Sequence, residues 1–537
     1  MKRKILLLLL ACACLVGCTQ KEQAGAEQPF TVSGGPNLDG SREDTMTLSM
    51  RVPETLNPIL NREESVDRIL KLLYLPLLDF DESGKAVPSV ATSWQISEDG
   101  RTIVLPIRAD LTWADGSSLT ADDVVFSFQM IRTAPEDSVY KKVLDYVSGC
   151  QKIGDSSVMF TFYETFSGNL SVLRFPILSA AYYAGQNDPQ SQVNMTPLGD
   201  GAYAMLSYVQ ASELMLERNA HYHGALATIP YIRVKLTAGE ETDVHSFEQG
   251  ITDVLAADAM EAGRYIDDGI TGIYQYPSNE YDFIGFNFNR SLFQDKALRQ
   301  AVAYALPKEN LMDSVYLQYG TLTNTPISPK SWLYEENVVP YNHDLTIAAT
   351  YLKNSGWVDE NGNGRLEKTV NGQSEPLSAV ILVNGDNMMR RQIASKLKEE
   401  LESIGFSITI DQQPFAQYQE KFINGQFDLV VGSWKCSEIV DLTPFFGTGG
   451  SLNYIGYSNE EVDRLLLAAH DAVSEGATLL AYSSLQKKLA EELPYISIVY
   501  QNRTIFTSKY VGGEISPTDF NIYRNIENWT YERKAGE

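Results

Sequence analysis

Between Leu377 and Val431 the chain alternates between two hydrophobic periods. Leu377 to Val383 is a short apolar run. Arg390 to Ile404 then carries Ile393, Leu397 and Leu401 at helical spacing, and Phe406 to Ile410, Phe415 to Phe422 and Phe427 to Val431 follow as strand, helix and strand. A β-α-β-α-β order calls for a parallel sheet with right-handed crossovers, so this part of the chain is α/β. Tyr495 to Tyr500 reads as a later strand of the same region, and Asp295 to Leu306 as a helix with Leu298, Val302 and Ala305 on one face. At 537 residues the chain exceeds what one core can hold, which predicts two or three domains.

A second dense set of signals runs from Leu78 to Phe128. The turn Asp81-Glu-Ser-Gly84 leads to Pro88-Ser-Val-Ala-Thr-Ser-Trp94, and Ser97-Glu-Asp-Gly100 opens a strand with Ile103, Leu105 and Ile107 on one face. Pro106 cannot donate to a ladder, which predicts an edge strand. After Trp113 and the turn Asp115-Gly116, Thr120-Ala-Asp-Asp123 supplies a cap and early acidic residues for a helix whose face is Val124, Phe128 and Ile131. Earlier, Met46 to Met50 reads as the first strand, followed by a helix bearing Val66, Ile69, Leu70 and Leu73.

Taken literally, this string resembles the signature of the family 5 extracellular solute-binding proteins, the oligopeptide and dipeptide receptors of ABC importers with their nickel-binding and sugar-binding relatives. Its words are Pro-x-x-Ala-x-x-Trp after a glycine turn, then Trp113, Asp-Gly, and Leu-Thr-Ala-Asp-Asp-Val before Phe126-Ser127. Pro197-Leu-Gly-Asp-Gly-Ala-Tyr203 resembles the turn by which that family returns to its first lobe. The resemblance implies an α/β, two-lobed periplasmic-binding-protein-like (type II) fold with an inserted subdomain in the first lobe, closing on a ligand between the lobes. The expected boundaries are 46–77, 194–281 and 505–537 for the first lobe, 78–193 for the inserted subdomain and 282–504 for the second lobe.

The N-terminus reads as a targeting segment, with Lys2-Arg-Lys4 followed by an apolar run too short to span a bilayer. Leu15-Val-Gly-Cys18 resembles a bacterial lipobox, which implies a lipoprotein signal peptide over 1–18 and lipidation of Cys18. Two or three acyl chains would anchor the protein stably, on the extracytoplasmic side of the cell envelope. Residues 19–45, rich in polar residues and poor in aromatics, read as a disordered tether. Of the five cysteines, only Cys150 and Cys436 remain beyond Cys18, and they can be paired or free.

The formal charge of −26 repels nucleic acid, so no nucleic-acid partner is expected. No nucleophile elbow, His-Glu-x-x-His helix, phosphate loop or dinucleotide fingerprint is present, so no enzymatic step and no cofactor are expected. His221 and His223 form the one close histidine pair, too few ligands to close a metal site. Asp359-Glu-Asn-Gly-Asn-Gly-Arg365 begins like a calcium loop, but Val370 stands where a bidentate glutamate belongs, so a tight polar turn is the better reading.

The resemblance places ligand recognition in Gly432 to Phe445. In peptide receptors an aspartate three residues after the tryptophan pairs with the peptide's ammonium group. Here Trp434 is followed at that spacing by Ser437, and Glu438 comes next, with Asp441 further on. Dipeptide-binding members place an arginine after the strand Ala379 to Val383, where this chain has Asn384-Gly-Asp386, which argues for longer peptides. Asn453 with Tyr454 matches a family pattern near the cleft, and Tyr281 is a further aromatic candidate. The expected role is capture of an oligopeptide, as a monomer, and delivery to ABC transporter permease subunits. An oligosaccharide or a chelated metal such as nickel is the alternative ligand, and a permease-less surface sensor or adhesin the alternative role.

Overall fold

The structure is a computed structural model that describes residues 44–257, 269–370, 372–437 and 439–533. Cys18, the signal segment and nearly all of the tether lie outside the described residues, as does Glu438.

The first strand, Thr45–Arg51, alternates as a strand with one buried face must, with Met46, Leu48 and Met50 fully enclosed. It pairs in parallel with Tyr231–Thr237, and Glu213–Arg218 and Tyr203–Val209 extend the sheet antiparallel. The turn Leu198-Gly-Asp-Gly201 packs on the chain just after helix Glu64–Leu70. A Cβ on Gly199 would come within 1.9 Å of the Leu73 carbonyl oxygen, so only glycine permits this approach. Asp200, between the two glycines, is fully enclosed and accepts the Leu75 N–H at 2.9 Å.

A second four-stranded antiparallel sheet runs Gln95–Ile96, Thr102–Pro106, Ser157–Phe162, Val147–Ile153. Thr102–Pro106 is therefore an inner strand, which corrects the edge-strand expectation. Gln95–Ile96 is so short that it pairs only with Ile103 and Val104, and Pro106 lies beyond its end, where no ladder donor is required. Helix Ala121–Thr133 begins where the Asp123 carboxylate accepts the Thr120 N–H at 2.7 Å, and it buries Val124, Phe128 and Ile131. Phe128 meets Phe160 of the sheet edge-on at 5.9 Å. One continuous core joins both sheets and also takes in Ile505, Ile522, Tyr523, Ile526 and Trp529 from the far end of the chain.

The second body is built on a seven-stranded mixed sheet. Ser378–Asn384 lies between Ser407–Gln413 and Leu429–Lys435, parallel to both, as the β-α-β-α-β reading requires. Its faces are covered by different residue sets. Ile381, Val383, Ile284 and Val431 enter one core with Ile393, Leu397 and Leu401, while Leu382, Phe283 and Val430 enter another with Phe422, Leu485 and Leu489. That double burial is why these strands read as unbroken apolar runs.

Two long antiparallel strands connect the bodies, Gly272–Phe286 and Tyr495–Thr507. Tyr276 and Ile505 belong to the first core, Phe283 and Ile496 to the second body, and the register between the strands shifts between Pro277 and Tyr281. Among the described residues no helix is long and apolar enough to cross a membrane.

Candidate functional site

The crossing strands form the floor of a cavity of about 580 Å³ between the two bodies. The first body contributes the turn Asp79 to Gly84, residues Ser167, Gly168, Ser171 and Arg174, and the C-terminal segment Ile515 to Asn521 with Arg524. The second contributes Pro326 to Leu333 and most of the stretch from Cys436 to Phe445. A cavity of this size, walled by aromatic and aliphatic side chains together with many charged, hydroxyl and amide groups, suits an organic ligand with polar groups of its own.

Each wall is held locally. The Asp81 carboxylate accepts the Ser83 N–H at 2.9 Å, the Ser83 hydroxyl at 2.6 Å and the Lys85 N–H at 3.0 Å. Burial works to raise its pKa, but these bonds outweigh it and hold the group below the ordinary aspartate range. Next to it, Glu82 pairs with Arg524 at 2.9 Å. The Arg174 guanidinium lies between two rings, 4.3 Å from the centroid of Phe80 and 4.4 Å from that of Phe520. Burial raises the pKa of Asp79, against the bond from the Phe80 N–H and the nearby charge of Arg524. On the opposite side, the Tyr500 hydroxyl donates to the Pro326 carbonyl at 3.0 Å and lies 3.9 Å from the Cys436 sulfur. Burial pushes the Cys436 thiol up to about 11, and both Cys436 and Cys150 are free.

The two bodies touch around the rim. The Trp332 N–H donates to the Ser83 carbonyl at 3.0 Å, and the Ser167 N–H to the His470 carbonyl at 2.7 Å. Lys85 pairs with Glu475 at 2.7 Å, both half-exposed. Gly168 lies so near Ile439 that an added Cβ would meet its methyl group at 2.6 Å, so a side chain here would hold the bodies apart.

Of the residues singled out from sequence, Ser437 and Asp441 line the cavity. Asp441 is exposed and accepts the Thr443 N–H at 2.9 Å. Glu438 lies outside the described residues, and Trp434, Tyr454, Tyr281, Asn453 and Asn384 stand off the wall. Trp434 belongs to strand Leu429–Lys435, which directs its ring onto Phe283 at 5.9 Å, and its indole N–H donates to the Tyr495 hydroxyl at 3.3 Å. Tyr454 packs on Phe422 at 5.4 Å. Tyr281 is 1% exposed and shares a 2.6 Å hydrogen bond with Ser497. Asn453 ties its own turn together, donating to the Gly447 and Tyr457 carbonyls at 2.8 and 2.7 Å. Asn384 caps the end of its strand, accepting the Asp386 N–H at 3.0 Å.

Sequence reasoning did not single out Trp332, Arg174, Phe80, Phe520 or Tyr500 as wall residues. The proline-rich run Thr325-Pro-Ile-Ser-Pro-Lys-Ser-Trp332, irregular and ending in a large aromatic, was the available signal for one of them. Among the described residues no group of three or more His, Cys, Asp or Glu is arranged to hold a metal ion. In the loop that begins like a calcium site, Asp359 accepts the N–H groups of Gly362, Asn363 and Gly364, and the Asn361 amide donates to Glu367 at 2.7 Å. The loop's oxygens serve its own turn.

Known proteins share this architecture. The family profile described as "Bacterial extracellular solute-binding proteins, family 5 Middle" matches residues 85–451. The oligopeptide-binding protein AppA of Bacillus subtilis is 26% identical over 522 residues, which cover 93% of this chain and 92% of that protein. The structure of that AppA with a nonapeptide aligns with a TM-score of 0.57 at 24% identity, covering 91% of this chain and 99% of that one. An ABC transporter substrate-binding protein from Sinorhizobium meliloti aligns with a TM-score of 0.77 at 18% identity, covering 91% and 100%.

Proposed function

The chain belongs to the bacterial extracellular solute-binding proteins of family 5, and from that membership we infer that it captures oligopeptides between its two bodies and hands them to the permease of an ABC transporter. The observation that carries this reading is the cavity of about 580 Å³ whose wall is divided between the two bodies. A ligand there touches both bodies at once, so it binds most tightly when they are together and shifts the open–closed equilibrium toward the closed form. No chemical step is assigned to the cavity.

In this reading Ser437 and Asp441 meet the ligand, with Asp441 receiving a cationic group. Trp434 and Tyr454 hold the recognition loop from behind. The loop carries Ser437, not a carboxylate, three residues after Trp434, so affinity rests on backbone pairing and on side-chain contacts with the wall. Lipidated Cys18 and the segment to residue 45 would tether the monomer to the extracytoplasmic face of the membrane. The first lobe comprises 46–77, 194–281 and 505–537, the inserted subdomain 78–193 and the second lobe 282–504.

Native mass spectrometry of the form lacking residues 1 to 18, followed by release of bound material, tests the assignment. Peptides longer than two residues are expected. Release of sugar or metal instead would overturn the peptide reading.

A further inference from the structure

The cleft cavity has a neighbour. A smaller chamber of about 110 Å³ lies deeper in the first body, between the end of helix Glu64–Leu70 and the segment Phe520 to Glu527. Asp79, Arg174, Phe520, Asn521 and Arg524 line both spaces. Among these five, Phe520 is the one apolar side chain, and it is fastened from several directions. Arg174 lies 4.4 Å from its ring centroid and the Lys71 ammonium 4.0 Å. Lys71 also donates to the Phe520 carbonyl. Lys71 is itself set by a 2.8 Å ion pair with Asp67, which is 5% exposed and accepts the Tyr140 hydroxyl at 3.0 Å. The flank of the segment is pinned where Arg524 and Asn525 each donate to the Ser516 hydroxyl at 3.3 Å.

A ring held by two partly desolvated cations and a backbone bond is a fixed wall, because displacing it forfeits all of these contacts together. We propose that Phe520 is a specificity-determining partition, which limits the size of the ligand group facing the first body by shutting the cleft cavity off from the chamber behind it. The proposal rests on the peptide reading of the cleft. The chamber has room for about four water molecules at liquid density. With Asp67, Lys71 and Tyr222 on its walls, it would take the polar end of one side chain once the ring is gone. The wild-type protein thus selects peptides with a small residue at the position that abuts Phe520, and the truncated variant accepts a long polar one there.

The test uses peptides that differ only by alanine or glutamine at one position, taken through each position in turn, with affinities measured calorimetrically on the full chain. At one position the wild type should prefer alanine, and Phe520→Ala should move the ratio toward glutamine by about tenfold. Phe520→Leu, which keeps most of the bulk but loses the cation–ring contacts that fix the wall, should move the ratio less than Phe520→Ala does. Phe520→Val should give an intermediate ratio, and serves if the alanine variant does not fold. An alanine-to-glutamine ratio equal in wild type and folded truncation variants at every position overturns the proposal. If no peptide binds any of these proteins, the peptide reading falls, and the crystal structure of the truncated variant judges the partition. Ordered water continuous from cavity to chamber supports it, and collapse of residues 515–524 into the gap overturns it.

Discussion

The ion pair between Lys85 and Glu475 joins a turn of the first body to the start of helix Glu475–Glu492 in the second, at 2.7 Å across the cleft rim. Because it exists only when the bodies touch, its strength enters ligand affinity through the population of the closed form. Both side chains are about half exposed, and such pairs contribute about 0.2–1 kcal/mol. In Lys85→Glu this attraction is replaced by repulsion between two carboxylates, about 1 kcal/mol at 4 Å in water. The closed form is then disfavoured by about 1–2 kcal/mol in total, and where the open form dominates the free protein, the observed Kd rises by about five- to thirtyfold. The ligand is the peptide recovered by mass spectrometry, titrated calorimetrically at low salt. Raising ionic strength to 1 M, where the screening length falls to about 3 Å, should erase most of the difference. The double reversal, Lys85→Glu with Glu475→Lys, should recover most of the affinity. The lysine this places in the first helical turn opposes the helix dipole by about 0.3–1 kcal/mol, but equally in the open and closed forms, so it lowers folding stability and leaves the recovered affinity untouched. Unchanged affinity in Lys85→Glu at low salt, or a double reversal no better than the single, would refute the reasoning.

Burial pushes the Asp200 carboxyl up to about 7, and one of its oxygens has no hydrogen-bond partner. With an unfolded value near 4, the folded protein keeps a proton that the unfolded chain releases. The stabilisation is therefore whole below about pH 4 and is lost as pH rises through about 7, on the order of 4 kcal/mol across the window. Asp200→Asn should flatten that slope in urea unfolding, and parallel pH profiles would contradict it. Asn57 is fully enclosed and links Asn194 at 2.8 Å to the Ile59 N–H at 3.0 Å, so Asn57→Ala, which strands both partners, should cost about 2–4 kcal/mol in the same assay. Cys436 should react slowly with iodoacetamide at pH 8, since burial holds its thiol near 11, and bound peptide should slow it further; rapid labelling of the liganded protein would place the ligand elsewhere.

The α/β core of the second body was legible because its strands are buried on both faces and its helices carry one apolar stripe. Ile381, Leu382 and Val383 had nowhere polar to point, so period and composition agreed. Pro106 misled because the rule it obeys concerns donors, and its neighbour strand ends before a donor is needed. The cleft was harder to read. Its wall joins Phe80, Arg174, Trp332, Cys436 and Phe520, residues separated by up to several hundred positions and drawn from turns without periodicity. The sequence singled out Gly432 to Phe445, and within it most of Cys436 to Phe445 lines the cavity, whereas Trp434 was assigned by its type. Strand alternation decided which side that ring faces, and it faces Phe283.

The first core also fixes an order of events during synthesis. Its sheet begins at Thr45, yet it buries Ile505, Tyr523 and the fully enclosed Trp529. The two cores of the second body draw only on residues 281 to 500, so that body can consolidate from contiguous chain while the N-terminal portion still lacks its last wall. A polypeptide emerging N-terminus first would thus hold residues 46 to 276 in an unfinished state until residues 505 to 529 have emerged, the reverse of the usual N-to-C order of domain folding. Loss of a dozen C-terminal residues, Trp529 among them, should then unseat the part of the molecule made first and spare the part made last.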